Sequence, residues 1–258
     1  MISIALLGPV EVRRDGDLIS VPSGKPTELL MRLALSAGTM VLKERLLEDL
    51  WADEAVVTSA NTVQSKVSRL RKALGDPALV VGGQLGYTLA LDASAVDALE
   101  VARRADEVTT LRTVGDAAAA VEGCSAALAL FRGESLFGAS DADWLRPHRA
   151  QLQGLRLRLL EDLVGARMDL GATGEVVGEL EDLVAAHPLR EGLWTLLMTA
   201  LYRAGRQADA LAAYRAIRER LVEELGLEPG PELQRLEQQV LAHDPALDAP
   251  ARQPSSRL

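Results

Sequence analysis

Near the start of the chain apolar and polar positions alternate. Ile2, Ile4 and Leu6 are separated by Ser3 and Ala5, and Val10 and Val12 flank Glu11 ahead of Arg13. A period of two puts successive side chains on opposite faces, which predicts short strands, and Asp15-Gly16 is a hairpin signal leading into Leu18-Ile19-Ser20-Val21. From Pro26, a residue suited to a first helical turn, the period lengthens. Leu29, Leu30, Leu33 and Ala37 make one helical stripe, stopped by Gly38; Leu46, Leu47, Leu50 and Trp51 make a second over 43–51. After a link over 52–58, Val63, Val67, Leu70 and Leu74 recur at steps of four, three and four, so they share one face of a helix over 59–74 that Gly75-Asp76-Pro77 closes. Leu79-Val80-Val81 and Tyr87-Thr88-Leu89-Ala90-Leu91 then flank a glycine-rich stretch, 82–86, which predicts a second hairpin. Strands, three helices and a hairpin, in that order, predict a winged helix-turn-helix with an added N-terminal antiparallel sheet.

From about residue 95 the texture becomes Ala- and Leu-rich, with helical patterns near 96–112, 114–131 and 141–170 and no convincing strand. Two later segments repeat with an offset of 34: Leu160 maps onto Trp194, Leu163 onto Leu197, Gly171 onto Gly205, Val176 onto Ala210, Leu180 onto Tyr214 and Leu183 onto Ile217. That is the tetratricopeptide period, in which each helix pair buries its apolar face only against its neighbours. These positions are therefore expected to be core. The fold class expected is mostly α with a small β part: a winged-helix domain over 1–92, an all-α tetratricopeptide-like domain over 95–242, and a disordered tail over 243–258, where periodicity stops.

Charge changes the picture because it is unevenly spread. The 258 residues carry a net charge of −9, which by itself argues against a nucleic-acid partner. Residues 1–90, however, hold ten basic and ten acidic side chains, so the whole deficit lies beyond them, and residues 58–75 hold Lys66, Arg69, Arg71 and Lys72 with no acid. A local basic helix survives the global average.

On that third helix Asn61, Ser65, Ser68, Arg69 and Lys72 point away from the apolar stripe, with Thr62 and Lys66 beside them. A helix that reads the major groove needs this mixture: Arg and Lys pair with guanine, Asn with adenine, Ser and Thr with several partners, and further cations neutralise phosphate. Asn61, Thr62, Ser65, Ser68 and Arg69 are therefore candidate base contacts; Lys25, Lys66, Arg71, Lys72, Gln84 and Tyr87 are candidate backbone contacts. Tyr87 suits packing at the hairpin base equally well. A solvated amphipathic helix has the same surface, and it is the position between a helix–turn and a glycine-rich hairpin that favours recognition.

The most specific blocks are Asn61-Thr62-Val63-Gln64, Val67 to Gly75, Gly86-Tyr87-Thr88-Leu89, His187-Pro188-Leu189-Arg190-Glu191, Leu193-Trp194, Leu196-Leu197-Met198, Gly205-Arg206, and Glu224-Leu225-Gly226 with Pro229-Gly230-Pro231. In this order, over about residues 2–242, the chain resembles the Streptomyces antibiotic regulatory proteins, pathway-specific bacterial activators. The resemblance implies an OmpR-type, phosphorelay-type effector domain followed by a bacterial transcriptional activation domain. It also implies binding of double-stranded promoter DNA at tandem direct repeats, self-association on those sites, and recruitment of RNA polymerase through its sigma or alpha subunit. Two positions depart from the family: Thr27 stands where a basic residue is usual, and Leu42 where a Ser or Thr commonly caps the second helix, which leaves that helix start less well satisfied. Larger relatives append a nucleotide-binding ATPase domain, for which this chain has no room; Gly24-Lys25-Pro26-Thr27 is not a phosphate loop, because Pro26 replaces the required Ser or Thr and the upstream glycine is absent.

Other classes find little support. His148, His187 and His243 lie far apart, and no HExxH, GxSxG or GxGxxG occurs, so neither a catalytic residue nor a metal ligand set is expected, and no cofactor. A single cysteine, Cys124, excludes an intrachain disulfide and a cysteine-built zinc site. With no apolar run of about 18 residues and no basic-then-apolar leader, a cytoplasmic protein with no membrane partner is expected. A repressor, or a repeat scaffold that does not touch DNA, remains the alternative that residue patterns alone leave open.

Overall fold

The computed structural model describes residues 1–52, 60–136 and 142–248. The expected link over 52–58 falls almost wholly outside them, as do the last ten residues of the expected tail. The chain forms two compact units, one of Met1–Asp106 with Ala126–Leu157, the other of Glu107–Ser125 with Arg158–Leu258.

In the first unit β1 (Ile2–Ala5), β2 (Glu11–Arg14) and β3 (Asp17–Ile19) make an antiparallel sheet in chain order, with Ile4 opposite Val12 and Val12 opposite Ile19. The two-residue turn is the one the sequence calls for: Asp15 (φ 52°) and Gly16 (φ 94°) both lie in the left-handed region. Helices α1 (Lys25–Ala34), α2 (Lys43–Trp51) and α3 (Ala60–Leu74) follow, then β5 (Val80–Gly82) and β6 (Gly86–Leu89). A further strand, β4 (Val41–Leu42), pairs with β6, so the hairpin is really a three-stranded sheet in the order β4-β6-β5. Two residues are too short to show a period of two, and pairing alone reveals them. Leu29, Leu30, Leu33, Leu46, Leu50, Val63, Val67, Leu70, Leu74, Val80 and Leu89 are at most 1% exposed and make the core. Asp49, itself buried, ties the helices together by accepting from Arg32 at 2.7 Å and Arg45 at 3.1 Å.

This unit continues past residue 92 for a physical reason. β1 is an edge strand, and the chain after it would leave bare backbone groups. Asp97, at the start of α4 (Asp97–Val114), accepts from the backbone N–H groups of Leu6 (2.6 Å) and Leu7 (3.1 Å), and Val96 bridges Ile4. The carbonyls of the same two residues accept from the N–H groups of Leu136 (2.7 Å) and Arg132 (2.6 Å), which follow α5 (Ala117–Leu128). Burial raises the Asp97 carboxyl above the usual aspartate range, against the pull of those two N–H groups and of Arg132. Glu100, on the next turn of α4, takes both Arg103 (2.7 Å) and Arg104 (2.8 Å), and Arg104 also donates to the carbonyl of Ala126.

The second unit holds the end of α6 (Leu145–Asp169), α7 (Val177–Ala186), α8 (Glu191–Arg203), α9 (Gln207–Leu225) and α10 (Pro231–Ala242), with α8 packed on α7, α9 and α10. The 34-residue offset is visible in the backbone: Gly171 follows α6 and Gly205 follows α8, the next helix but one, with φ of 91° and 76°. Val176, Leu180, Trp194, Leu197, Ala210, Tyr214 and Ile217 are buried, while Leu160, Leu163 and Leu183 are half-buried. The Trp194 indole donates to the carbonyl of Pro188 at 2.9 Å and lies under the Arg220 guanidinium. Residues 243–248, the start of the expected tail, are folded: Leu247 is buried in a short turn and its carbonyl accepts from Arg203 at 2.8 Å. No helix among the described residues is long and apolar enough to cross a membrane.

Two outcomes follow from this packing. Trp194→Ala should lower stability by about 3–5 kcal/mol in chemical denaturation, as deletion of a buried aromatic does. A pair of cations holds the Glu100 carboxyl at about 2, against an ordinary 4.5. Its contribution is therefore complete above pH 4.5 and lost as pH falls towards 2. Glu100→Gln should be less stable than wild type at pH 7, and the gap should close by pH 2; an equal gap at both would show that the pairing does not matter.

Candidate nucleic-acid interface

The candidate face lies on α3, and the orientation of that helix follows from packing. Val63, Val67, Leu70 and Leu74 are buried against α1 and α2. At 100° per residue this turns Ser65, Ser68, Arg69 and Lys72 to solvent, where all four are exposed, with Thr62 and Lys66 half-buried at the margin. Among the described residues Lys66, Arg69 and Lys72 make no internal hydrogen bond or ion pair, while the Ser65 hydroxyl donates to the Thr62 carbonyl at 2.9 Å. Asn61 lies in the first turn of α3, but its side chain is outside the described residues. The C-terminal end is closed by Gly75 (φ 64°) and by the Arg14 guanidinium, which donates to the Leu74 carbonyl. A cation at a helix C-terminus is favoured by the peptide dipoles, so Arg14 stabilises α3 from the N-terminal sheet.

Two of the candidate phosphate contacts are occupied within the protein. Lys25 donates to the carbonyl of Leu50 at the end of α2, pairs with buried Glu28 at 3.2 Å and stands 5.7 Å above the Trp51 ring. Arg71 turns away from the exposed face and donates through Nε (2.9 Å) and Nη2 (2.6 Å) to the Val80 carbonyl in β5. Thr27, half-buried, donates to the Pro22 carbonyl at 2.9 Å, which leaves its hydroxyl in the loop before α1. Sequence periodicity placed Lys25 and Arg71 by residue type; what occupies them is a carbonyl brought in by distant chain.

The hairpin projects beside α3. Gln84 is exposed at its tip, and Tyr87, opposite Gly82 in the ladder pair next to the turn, is buried, 6% exposed. As the sequence foresees, Leu42 precedes α2 without capping it by a side chain. The unsatisfied N–H of Lys43 donates instead to the Leu85 carbonyl at 3.0 Å, and its Nζ donates to Gln84 O at 2.8 Å while standing 5.7 Å over the Tyr87 ring. Lys43 was not among the candidates, since a single cation at a helix start has no pattern to mark it. No group of three or more His, Cys, Asp or Glu among the described residues is placed to hold a metal ion.

The chain matches two protein families along its length: residues 21–89 match the C-terminal domain of transcriptional regulatory proteins, and residues 96–241 the bacterial transcriptional activator domain. It is 41% identical to the regulatory protein AfsR of Streptomyces coelicolor over 94% of its own length, and spans 24% of that protein. It is 32% identical to the regulatory protein DnrI of Streptomyces peucetius, covering 95% of this chain and 94% of DnrI. The solved structure of Mycobacterium tuberculosis EmbR, in complex with a low-affinity phosphopeptide, superposes with a TM-score of 0.88 at 31% identity, over 95% of this chain and 66% of that one.

A Cβ at Gly86 would overlap the carbonyl of Val41 in the paired strand β4 and press on Met40. Gly86→Ala should therefore open the β4–β6 pairing, seen as loss of amide protection at Val41 and Tyr87, with a lower midpoint in urea. Unchanged protection at both would mean that the strand shifts to admit the methyl group.

Proposed function

The chain belongs to the Streptomyces antibiotic regulatory protein family, a class of transcriptional regulators rather than enzymes, and on that footing we propose that it is a sequence-specific activator. In this reading α3 enters the major groove of double-stranded promoter DNA. Asn61, Thr62, Ser65, Ser68 and Arg69 face base edges, while Lys66 and Lys72 neutralise phosphate and Gln84 reaches the backbone from the hairpin. The observation that carries the reading is the outward face of α3: acid-free, cationic, and without internal partners for Lys66, Arg69 and Lys72 among the described residues. A merely solvated helix has no need to exclude acids from fifteen consecutive positions.

The charge follows the two compact units. The first carries 16 basic and 17 acidic residues and the second 12 and 20. A nearly neutral unit with one cationic face suits DNA; a strongly acidic helical unit suits protein contact and is repelled by phosphate. We assign to the second unit contact with RNA polymerase, through its sigma or alpha subunit, and contact with a neighbouring copy on tandem direct repeats. Adjacent occupancy then raises the effective concentration of the second copy. The regulated genes are those of an antibiotic or other secondary-metabolite pathway, and the site of action is the cytoplasm.

Binding and in vitro transcription with the full chain test this. Arg69→Ala should weaken the specific site by about 1–3 kcal/mol and relax preference at one base pair, whereas Lys72→Ala should weaken all sequences alike and reduce the salt slope by about one. Wild-type affinity in both, with the fold intact, would remove α3 from the groove. Transcription should rise with site occupancy; repression at saturating protein would establish a repressor instead.

A further inference from the structure

The hairpin beside α3 pairs with β4 through β6 and leaves its other strand, β5, without a strand neighbour. In the strand order β4-β6-β5, β5 lies at the sheet edge. The Gly83 N–H donates to the Gly86 carbonyl and the Ala90 N–H to the Leu79 carbonyl. In an antiparallel ladder the bonded pairs alternate with unbonded ones, so the carbonyl of Val80, opposite Leu89, points to the open edge. The Arg71 side chain meets that carbonyl, with Nε and Nη2 both donating to it. The neighbouring Gly82 completes the fit: a Cβ there would lie 2.8 Å from the Tyr87 ring and 3.1 Å from Arg71 Nη2. At the far end of the hairpin Lys43 takes two consecutive carbonyls, Gln84 through Nζ and Leu85 through its backbone N–H.

We infer that Arg71 and Lys43 are positioning residues that fasten the wing to α3 and α2, so that the wing is set at its angle to the recognition helix before DNA arrives. Arg71 does this in place of a phosphate contact. Its planar fork delivers two N–H groups to one carbonyl, which a lysine ammonium does not reproduce. Residues 81–88 carry no charge, so a displaced wing loses contacts to DNA without changing the number of ions released on binding. A preset wing also spares the complex the entropy of ordering a loop. The assignment rests on the reading of α3 as the DNA-binding helix only where affinity is concerned; the fastening itself is a property of the free protein.

The test uses the full chain with Arg71→Met, Arg71→Lys and Lys43→Met. In the free protein, amide exchange over residues 80–89 should accelerate in all three while the core amides of α1 and α3 keep their protection. On promoter DNA, both Arg71 variants should lose affinity by about tenfold, the scale of a charged hydrogen bond. The slope of log K against log salt should stay at the wild-type value, and hydroxyl-radical footprints should lose the flank under the wing and keep the central protection. Unchanged exchange in the wing overturns the proposal. So does a slope reduced by about 0.9 in Arg71→Met with full recovery in Arg71→Lys, the signature of a phosphate contact. If Arg71→Met unfolds the unit, Arg71→Lys decides: exchange raised only in the wing supports the fastening, and wild-type exchange with wild-type affinity overturns it. If the wild-type chain binds no duplex, the DNA reading fails and the exchange data still decide whether Arg71 and Lys43 hold the wing.

Discussion

Burial of one stripe of α3 sets the rest of the molecule's surface. Val63, Val67, Leu70 and Leu74 are each at most 1% exposed, and removing that much apolar surface from water is worth several kcal/mol at roughly 25 cal/mol per Å². With that face inward, the helical period leaves no choice about what looks outward: Ser65, Ser68, Arg69 and Lys72. The core of α1 and α2 exists to hold this stripe, the Arg32–Asp49–Arg45 pairing holds those two helices to each other, and Arg14 closes the open end of α3.

A second theme is the satisfaction of backbone groups at places where regular structure stops. Leu6 and Leu7, just past the end of β1, would have bare backbone groups without Asp97, Arg132 and Leu136. The start of α2 has no side-chain cap, and the Leu85 carbonyl takes its N–H. The end of α3 is met by Arg14, the edge of β5 by Arg71, the end of α2 by Lys25. Buried polar groups left unpaired are costly, and this protein pairs them with cationic side chains from elsewhere in the chain. Several arginines and lysines that composition alone would assign to DNA are therefore structural.

Much of the candidate site was readable from periodicity. The steps of four, three and four in α3 identify its buried stripe, and with it the outward face. The 34-residue offset anticipates the paired turns at Gly171 and Gly205, and Leu42 marks a helix start without a cap. The roles of Lys25, Arg71 and Lys43 were not readable, because a lysine bonded to a carbonyl and one facing phosphate are the same letter with the same neighbours. Tyr87 suited two roles from its sequence, and burial under Lys43 and against Gly82 gives it the packing role.

The sequence by itself determined the elements of local origin: strand alternation, helical stripes, the Asp15-Gly16 turn and the acid-free run over 58–75. Each depends on residues within one or two turns of one another, so their spacing carries the whole signal. Only the tertiary structure decided the pairing of β4 with β6, the attachment of Asp97 and Arg132 to Leu6 and Leu7, the folding of residues 243–248 and the capture of Arg71 by Val80. Those contacts join residues from nine to more than a hundred and twenty positions apart, and what makes them is the need of a particular backbone group for a partner, which chain spacing does not encode.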